Sequence, residues 1–492
     1  MSCSWPSVKI SDVARFRNNQ RVPLKSLDRA KRQGIHPYYG ASGIVDYIDD
    51  FIFNGTYLLI SEDGENLRSR KTPIAFKASG KFWVNNHAHI LEEKEEGILD
   101  YLEYYFSQLD LGPYITGAVQ PKLNKANLDT IEIPVPPLEV RRTINGALNS
   151  LTNKIQINHQ VNETLEQMAQ GIFKSWFVDF DPVKAKIAAK ERWLVMQPVG
   201  ESASPVCYAG ETEALPDLET YMNLAAMQAI SGKDEKALAC LQAEQPEQYA
   251  ELWETAALFP STMQDSDLGA IPETWEVTQL SDCLDTLETG ARPKGGVGGI
   301  NEGVPSVGAE NVIGVGNYNY GKEKFVPTEF FQKLRRGIVE HLDCLLYKDG
   351  GKPGDFRPRV SMFGAGFPYE KFAINEHVFR LRSRDLGQPF LYFQIGHERV
   401  LSELRHKGAK AAIPGINQID VKTVWIVCPP KELVGKFNKI AEKFLVSILV
   451  RSKEKFQLSG LRDALLPRLL SGEISASFAG SKVSEVEEAS NV

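Results

Sequence analysis

Several stretches of this 492-residue chain carry side chains in an order that chemistry could use. Pro216-Asp217 followed by Asp234-Glu235-Lys236 has the order in which a metal-dependent nuclease holds magnesium on carboxylates and assists the attacking water with lysine. The pattern is short and degenerate, and it falls in an acidic, helical stretch instead of on strands, so it reads as coincidence. His87 and His89 form His-x-His on a strand, with both rings on one face. Without a third ligand nearby, a hydrogen-bonded structural role is preferred over a metal. Gly316-Asn-Tyr-Asn-Tyr-Gly321-Lys322 has the outline of a phosphate loop, but Glu323 stands where Ser or Thr would meet magnesium. Gly295-Gly-Val-Gly-Gly299 lacks the GxGxxG spacing and reads as a flexible loop. An adenine methyltransferase holds its flipped base with Asn- or Asp-Pro-Pro-aromatic. Neither PVPPLE nor VCPPKE has the amide or acid before the prolines or the aromatic after them. Cys3, Cys207, Cys240, Cys283, Cys344 and Cys428 are scattered without a CxxC pair, which indicates neither a zinc knuckle nor a disulfide framework. The reading is a chain with no catalytic residue and no metal site of its own.

Length and composition set the frame for these residues. A chain of this length is expected to form about three domains. Hydrophobic residues make up 42% and charged residues 24%, an ordinary globular composition. No stretch approaches the ~18 apolar residues of a membrane span, and no signal peptide opens the chain, so a cytoplasmic location is expected. The net charge of −7 is unevenly placed. Residues 200–267 hold 13 acidic and two basic residues, a local charge of −11, which leaves +4 on the remainder. Local basic clusters matter more than the total for phosphate binding.

The chain repeats itself. NKANLDTIEIPVPPLE at 124–139 matches NQIDVKTVWIVCPPKE at 417–432, a shift of 293 residues. Upstream, Trp5-Pro-Ser-Val-Lys-Ile-Ser-Asp resembles Trp275-Glu-Val-Thr-Gln-Leu-Ser-Asp, and Leu58-Leu59 with Glu62-Asp63-Gly64 resembles Leu345-Leu346 with Lys348-Asp349-Gly350. Val84-Asn-Asn-His87 resembles Ile374-Asn-Glu-His377. Each half holds short β-rich runs, at Tyr57–Ile60, Phe82–Val84, Val378–Leu381 and Val424–Val427, and helical stretches such as Ile98–Ser107. This predicts an α+β domain in each half. Pro-Pro ends the last strand of each, and a helix starts after it.

The two following helices carry a heptad seam. In the first it runs Ile144, Leu148, Leu151, Ile155, then Leu165, Met168, Ile172; in the second, Phe437, Ala441, Phe444, Ile448, then Leu458, Leu461, Leu465. Both seams are interrupted by polar residues at matched positions, Asn158 and Asn162 in one and Arg451 and Lys455 in the other. If the helices pack antiparallel, these four share one central layer in which the amide oxygens accept from the cations. Each helix spans ~40 residues or ~60 Å.

The strings IFKSWFVDFDP at 172–182 and LLPRLLSGEI at 465–474 are the most specific features of the helix ends. Together with YYGASGIVDYI, GTYLLISEDGENL, KFWVNNHAHIL, LGAIPETW and PVPPLE, they resemble the specificity subunits of type I restriction-modification enzymes. The resemblance covers nearly the whole chain outside roughly 186–267 and the acidic tail. It implies two similar target-recognition domains, each reading half of a split double-stranded DNA site. It implies an antiparallel coiled coil between them that sets the gap, in a pseudo-twofold arrangement. It also implies a complex with two methyltransferase subunits and with motor-nuclease subunits, which would carry S-adenosylmethionine, ATP and Mg2+. The assembled complex would be an adenine-specific methyltransferase and an ATP-dependent endonuclease. On this reading residues 1–137 and 268–430 are the recognition domains, and 138–184 and 431–480 the helical spacers. Residues 185–267 form an acidic helical insert placed away from DNA, and 481–492 a disordered tail.

Within that resemblance the candidates for DNA contact are loop cations. They are Arg68, Arg70, Lys71, Lys81, Lys122 and Lys125 in the first domain, and Lys348, Lys352, Arg357, Arg359, Arg405, Lys407 and Lys410 in the second. Asn85, Asn86, His87, Asn375 and His377 recur in both halves, which points to scaffold or backbone contact, since the two halves should read different bases. Phe173, Trp176, Phe177 and Phe180 are candidate anchors for a docking subunit, or else cap the helices' own core. Other readings stay open: a specificity chain for a methylation-only complex, an autonomous methyltransferase-nuclease, which the missing methyltransferase motif opposes, and a coiled-coil scaffold that does not read DNA.

Overall fold

The structure, a computed structural model, describes residues 5–117, 119–196, 216–350, 356–409 and 414–474. Its contacts divide the chain into two units, Met1–Gln156 with Lys455–Val492, and Ile157–Glu454. The division falls inside both long helices, Leu138–Phe177 and Lys431–Leu470, of 40 residues each. Each helix thus contributes residues to both units. The first spacer also ends earlier than expected: after Phe177 a turn through Phe180, at φ 57°, leads into a new helix, Asp181–Met196. The tail 481–492 lies outside the described residues.

The first unit is built on a six-stranded sheet in the order Ala14–Phe16, Ala88–Glu93, Phe53–Ser61, Ala75–Val84, Gln33–Gly40, Gly43–Ile48. Only the contact between Gln33–Gly40 and Ala75–Val84 is parallel. Alternation along Phe53–Ser61 serves two faces. Leu58 and Ile60 join the core around helix Ile98–Gln108, while Phe53 and Leu59 join Phe82, Val84 and Ile90. The same core around the helix takes in Ile144, Leu148 and Leu151 of the first long helix and Leu458, Leu465, Leu466 and Leu469 of the second.

The second unit has a four-stranded antiparallel sheet, Thr286–Thr289, Val378–Arg382, Asp343–Tyr347, Val360–Phe363. Asp343 is fully buried in it and accepts from Arg380 Nε at 2.5 Å, while Arg380 Nη1 donates to Glu288 at 2.9 Å. Burial keeps the Asp343 carboxyl above its usual pKa in spite of these cations. The acidic insert forms helices Leu218–Ser231, Glu235–Glu244 and Pro246–Ala257, with Pro246 dividing a run that reads as one helix in the sequence. The insert meets the second long helix through Glu251–Lys439 at 2.6 Å and Glu254–Lys436 at 2.9 Å. Asp217 and Asp234, the acids of the nuclease-like pattern, cap helix N-termini by accepting from Thr220 N and Ala237 N.

The internal repeat survives as identical strand register. Ser7–Lys9 pairs with Glu132–Pro134, with Val8 opposite Ile133. Glu276–Gln279 pairs with Trp425–Cys428, with Thr278 opposite Ile426, the residues shifted by 270 and 293. Each long helix begins directly after its Pro-Pro, at Leu138 and Lys431.

Within the second unit the long helices run antiparallel. Asn158 Nδ2 donates to Glu454 at 2.7 Å, and Asn162 Nδ2 donates to Ser452 Oγ at 3.0 Å and to the Ile448 carbonyl at 3.3 Å. This corrects the expected central layer. The asparagines donate instead of accepting, and their partners are Glu454 and Ser452. Arg451 bonds to Ser447 on its own helix, and the Asn162 amide oxygen accepts no hydrogen bond. Lys455 falls to the other side of the division between units. Met168 is 48% exposed, so it is not in the seam; Ala169 and Phe173 are buried in its place. The stripe of an undistorted helix drifts against a strict heptad, which explains the shift past the polar gap.

Asn162→Ala leaves the buried Ser452 hydroxyl without its donor and is expected to cost about 1–3 kcal/mol in urea unfolding. The pair Asn162→Leu with Ser452→Ala removes both partners and should recover most of that loss. Equal destabilisation by the single and double variants would show that this polar pair is not what the site depends on.

Candidate nucleic-acid interface

Both units build the same backbone strap from different sequence. In the first, strand Phe53–Ser61 delivers Glu62-Asp63-Gly64. Glu62 N donates to His87 O at 2.8 Å, Leu123 N to Glu62 O at 2.8 Å, and Gly64 N to Pro121 O at 3.1 Å. The His87 ring meets the Asp63 carboxylate through Nδ1 at 2.8 Å, and His87 N donates to Asn85 Oδ1 at 2.8 Å. In the second unit Lys348 N donates to His377 O at 3.0 Å, Ile416 N to Lys348 O at 2.8 Å, and Gly350 N to Pro414 O at 3.0 Å. His377 Nδ1 meets Asp349, and His377 N donates to Asn375 Oδ1. Three residues after the proline, Asn124 and Asn417 cap short helices by accepting backbone N–H groups.

This strap accounts for Asn85, His87, Asn375 and His377 and adds Asp63 and Asp349; Asn86, opposite Glu376 in the second half, is not part of it. Their sequence signal was the shared Asp-Gly in the two loops. One position inside the strap differs in charge. Glu62 accepts from Arg21 at 2.6 Å, with Lys122 at 3.8 Å; its counterpart Lys348 reaches Asp349 at 2.7 Å and Glu376 O at 3.2 Å.

His89 lies in the core beside the strap, fully buried. Its Nε2 donates to Leu123 O at 2.7 Å, and its Nδ1 accepts from Asn18 Nδ2 at 2.8 Å, the pairing of a neutral ring. Burial holds its pKa below the ordinary imidazole value. His87 is exposed, so His-x-His does not present two ligands to one site. Among the described residues no group of three or more His, Cys, Asp or Glu could hold a metal ion.

The candidate cations divide by what already holds them. Arg70, at φ 48°, donates to the carbonyls of Phe106, Ser107 and Leu109 at the end of helix Ile98–Gln108. That is a structural cap at the negative end of a helix, made by a residue that stays exposed. Lys407 is held by Glu403, Asp420 O and Thr423, and Lys348 by the strap, which also ties both to the fold. Arg405 pairs with Glu398 at 3.3 Å. Arg359 stacks on Tyr347 and donates to Ala309 O, Lys81 lies over Phe51, and Lys125 over Phe16, each still exposed. Arg68, exposed, donates to Gly117 O beside the strap. Lys71, Lys122 and Arg357 are also exposed. Lys71 opens on a cleft of about 710 Å3 that also receives Glu103, Asn149 and Arg462. Lys352 and Lys410 lie outside the described residues.

Two basic stretches escaped the sequence reading. Residues 15–32 hold seven cations against one acid, Asp28, and the short helix Ser26–Arg29 leaves Lys25 and Lys31 exposed beside it. Arg29 and Arg32 are used within the fold, over Tyr38 and Trp83 and against Asp46 and Asp49. In the second unit Lys333, Arg335 and Arg336 are exposed in succession. The local charge count was the signal for both.

Three of the four candidate aromatic anchors are buried, and Phe180 is half-buried. Phe173, Trp176 and Phe177 are 4%, 2% and 7% exposed. They pack on Phe390, Phe393, Phe437, Phe259 and Trp275 inside the second unit, and Phe180 packs on Trp275. These contacts match the alternative in which the aromatics cap the helices' own core.

Two α+β units repeat one strap, and each includes part of both long helices. Residues 4–167 match the type I restriction modification DNA specificity domain. The HindI specificity subunit of Haemophilus influenzae is 28% identical over 374 residues, 72% of this chain and 71% of that protein. The MjaIX specificity subunit of Methanocaldococcus jannaschii is 21% identical over 424 residues, 85% of this chain and 79% of that one. A putative H. influenzae specificity subunit is 39% identical over 143 residues, 29% of this chain and 36% of its own length. The crystal structure of a type I system S subunit from M. genitalium has the same fold, with a TM-score of 0.56 at 12% identity, covering 94% of this chain and 96% of that one. The chain thus carries a type I restriction-modification DNA specificity domain, and its resemblance to type I specificity subunits is shown by these matches. No helix among the described residues is long and apolar enough to cross a membrane.

The buried neutral His89 has a stability consequence. Its folded pKa is depressed, so below about pH 6.5 the unfolded chain takes up the proton first and folding stability falls as pH falls. Urea unfolding of the first unit is expected to weaken between pH 7.5 and 5.5, and His89→Gln should flatten that dependence. An identical pH slope in the variant would remove His89 from the account.

Proposed function

We propose that this chain reads a split DNA site, one half with each of its two domains, and positions partner enzymes on it without chemistry of its own. The observation that carries the reading is the repeated strap. Both units hold the same loop frame with the same backbone bonds, while the residue inside it changes from Glu62 to Lys348. Shared frame with altered charge is what two readers of different half-sites require: backbone contacts position a protein on DNA, and side chains specify bases. The exposed cations near the strap, Arg68, Lys122 and Arg359, and the basic stretches at Lys25–Lys31 and Lys333–Arg336, are the residues assigned to phosphate and base contact.

In this reading the paired long helices set the unread gap between the half-sites. The partners are two methyltransferase subunits, which supply S-adenosylmethionine chemistry, and motor-nuclease subunits, which use ATP and Mg2+, in the cytoplasm. With Phe173, Trp176 and Phe177 buried, docking falls to the exposed faces of the long helices, where Ile157, Met168 and Val450 are half exposed. The insert, with Glu251 and Glu254 on the second long helix, stays away from phosphate by charge.

Long-read sequencing of DNA from cells that hold this chain and its methyltransferase partner tests the proposal. Methyladenine is expected in one split motif. Exchange of residues 1–137 for the matching segment of another specificity subunit should change one half of that motif and leave the other half and the gap intact. A change in both halves, or continuous methylation without a gap, would overturn the reading.

A further inference from the structure

The scattered cysteines of the sequence become a pair in the fold. Cys283 ends the short helix Leu280–Cys283, and Cys428 ends strand Trp425–Cys428. Their sulfurs lie 3.6 Å apart across 145 residues of chain. The internal repeat supplies a comparison. At the shifts that align the two strand pairs, Cys283 corresponds to Val13 and Cys428 to Val135. Both valines are buried, at 3% and 7% exposure, in one apolar core. Packing at this place is therefore met by hydrocarbon in one unit and does not demand thiols in the other.

The thiols are also reachable. Both are partly exposed and open on a cleft of about 430 Å3 that also receives Asp282, Asp385 and Lys431. The thiol–thiol hydrogen bond between them holds Cys283 below the ordinary thiol pKa and pushes Cys428 up. Lys431, paired with Asp385 at 2.7 Å, favours the Cys283 thiolate, while Asp282 and Asp385 oppose it. The lower-pKa thiol of such a pair is the one that supplies the thiolate.

We propose that Cys283 and Cys428 form a reversible dithiol–disulfide modification site, oxidised by a small peroxide and restored by a thiol reductant. The Cys283 thiolate attacks one oxygen of hydrogen peroxide; the O–O bond breaks, hydroxide leaves, and Cys283 becomes a sulfenic acid. Cys428 then attacks that sulfur, the S–O bond breaks, and its proton leaves with the hydroxyl as water. Two thiols and one peroxide give one disulfide and two waters. The sulfurs need to approach by about 1.5 Å to reach bonding distance. The bond ties the start of the second α+β domain to its last strand, one Pro-Pro before the second long helix, and so closes a long loop.

The test treats the full chain with hydrogen peroxide, alkylates remaining thiols, and maps unreduced peptides by mass spectrometry. The expected result is one cross-linked peptide pair holding Cys283 and Cys428, lighter by two hydrogens, lost on reduction with dithiothreitol. The thermal midpoint should rise by several degrees on oxidation and return on reduction. Recovery of both residues as alkylated thiols, at a dose that oxidises the exposed Cys240, would overturn the proposal. So would linkage of either residue to another cysteine. Cys283→Val, which installs the residue of the first unit, should keep the fold and abolish the peroxide-dependent shift; a shift that persists in it would also overturn the assignment. Should that variant not fold, the wild-type peptide map decides alone.

Discussion

The structure depends on one shared apolar stripe. Two 40-residue helices are too long and too polar at the middle to be held by each other alone, and helices in water take most of their stability from the face they bury. Here each end of the stripe is absorbed by a different core. Leu148 and Leu151 with Leu458 and Leu465 complete the first, and Phe173 and Trp176 with Phe437 and Leu445 complete the second. The polar residues between these ends are tolerated because they find partners on the facing helix, Asn158 with Glu454 and Asn162 with Ser452. A helix built into two cores has its buried face set by both.

The same economy appears in the recognition units. The Asp–His–Asn strap is a local solution: an Asp-Gly turn at the end of a strand, an imidazole to hold the carboxylate, and an asparagine to turn the chain into that histidine. The side chain between strand and turn differs between the two copies, which place opposite charges there, each with its own partners. Conserved geometry with variable charge separates the problem of holding a loop from the problem of what the loop meets.

Much of this architecture was legible from residues alone. The 293-residue shift, the Pro-Pro breaks and the alternation at Tyr57–Ile60 and Val378–Leu381 reported strands, helix starts and the repeat, because each depends on near neighbours in the chain. The cations were less legible. Arg70 and Arg359 look alike in sequence, yet one caps a helix and the other stacks on a tyrosine at the surface. A loop cation is committed or available according to which carbonyls the fold happens to bring within reach, and those carbonyls lie tens of residues away.

By itself the sequence determined the two α+β halves, their repeat and the pair of long helices, since period, proline and repeat are local or self-referential signals. Tertiary structure alone decided which way the amides of Asn158 and Asn162 point, that Phe173, Trp176 and Phe177 face inward, and that Met168 faces out. It also decided that Cys283 and Cys428 touch. Each of these turns on a partner distant in sequence and on side-chain direction, neither of which spacing along one chain encodes.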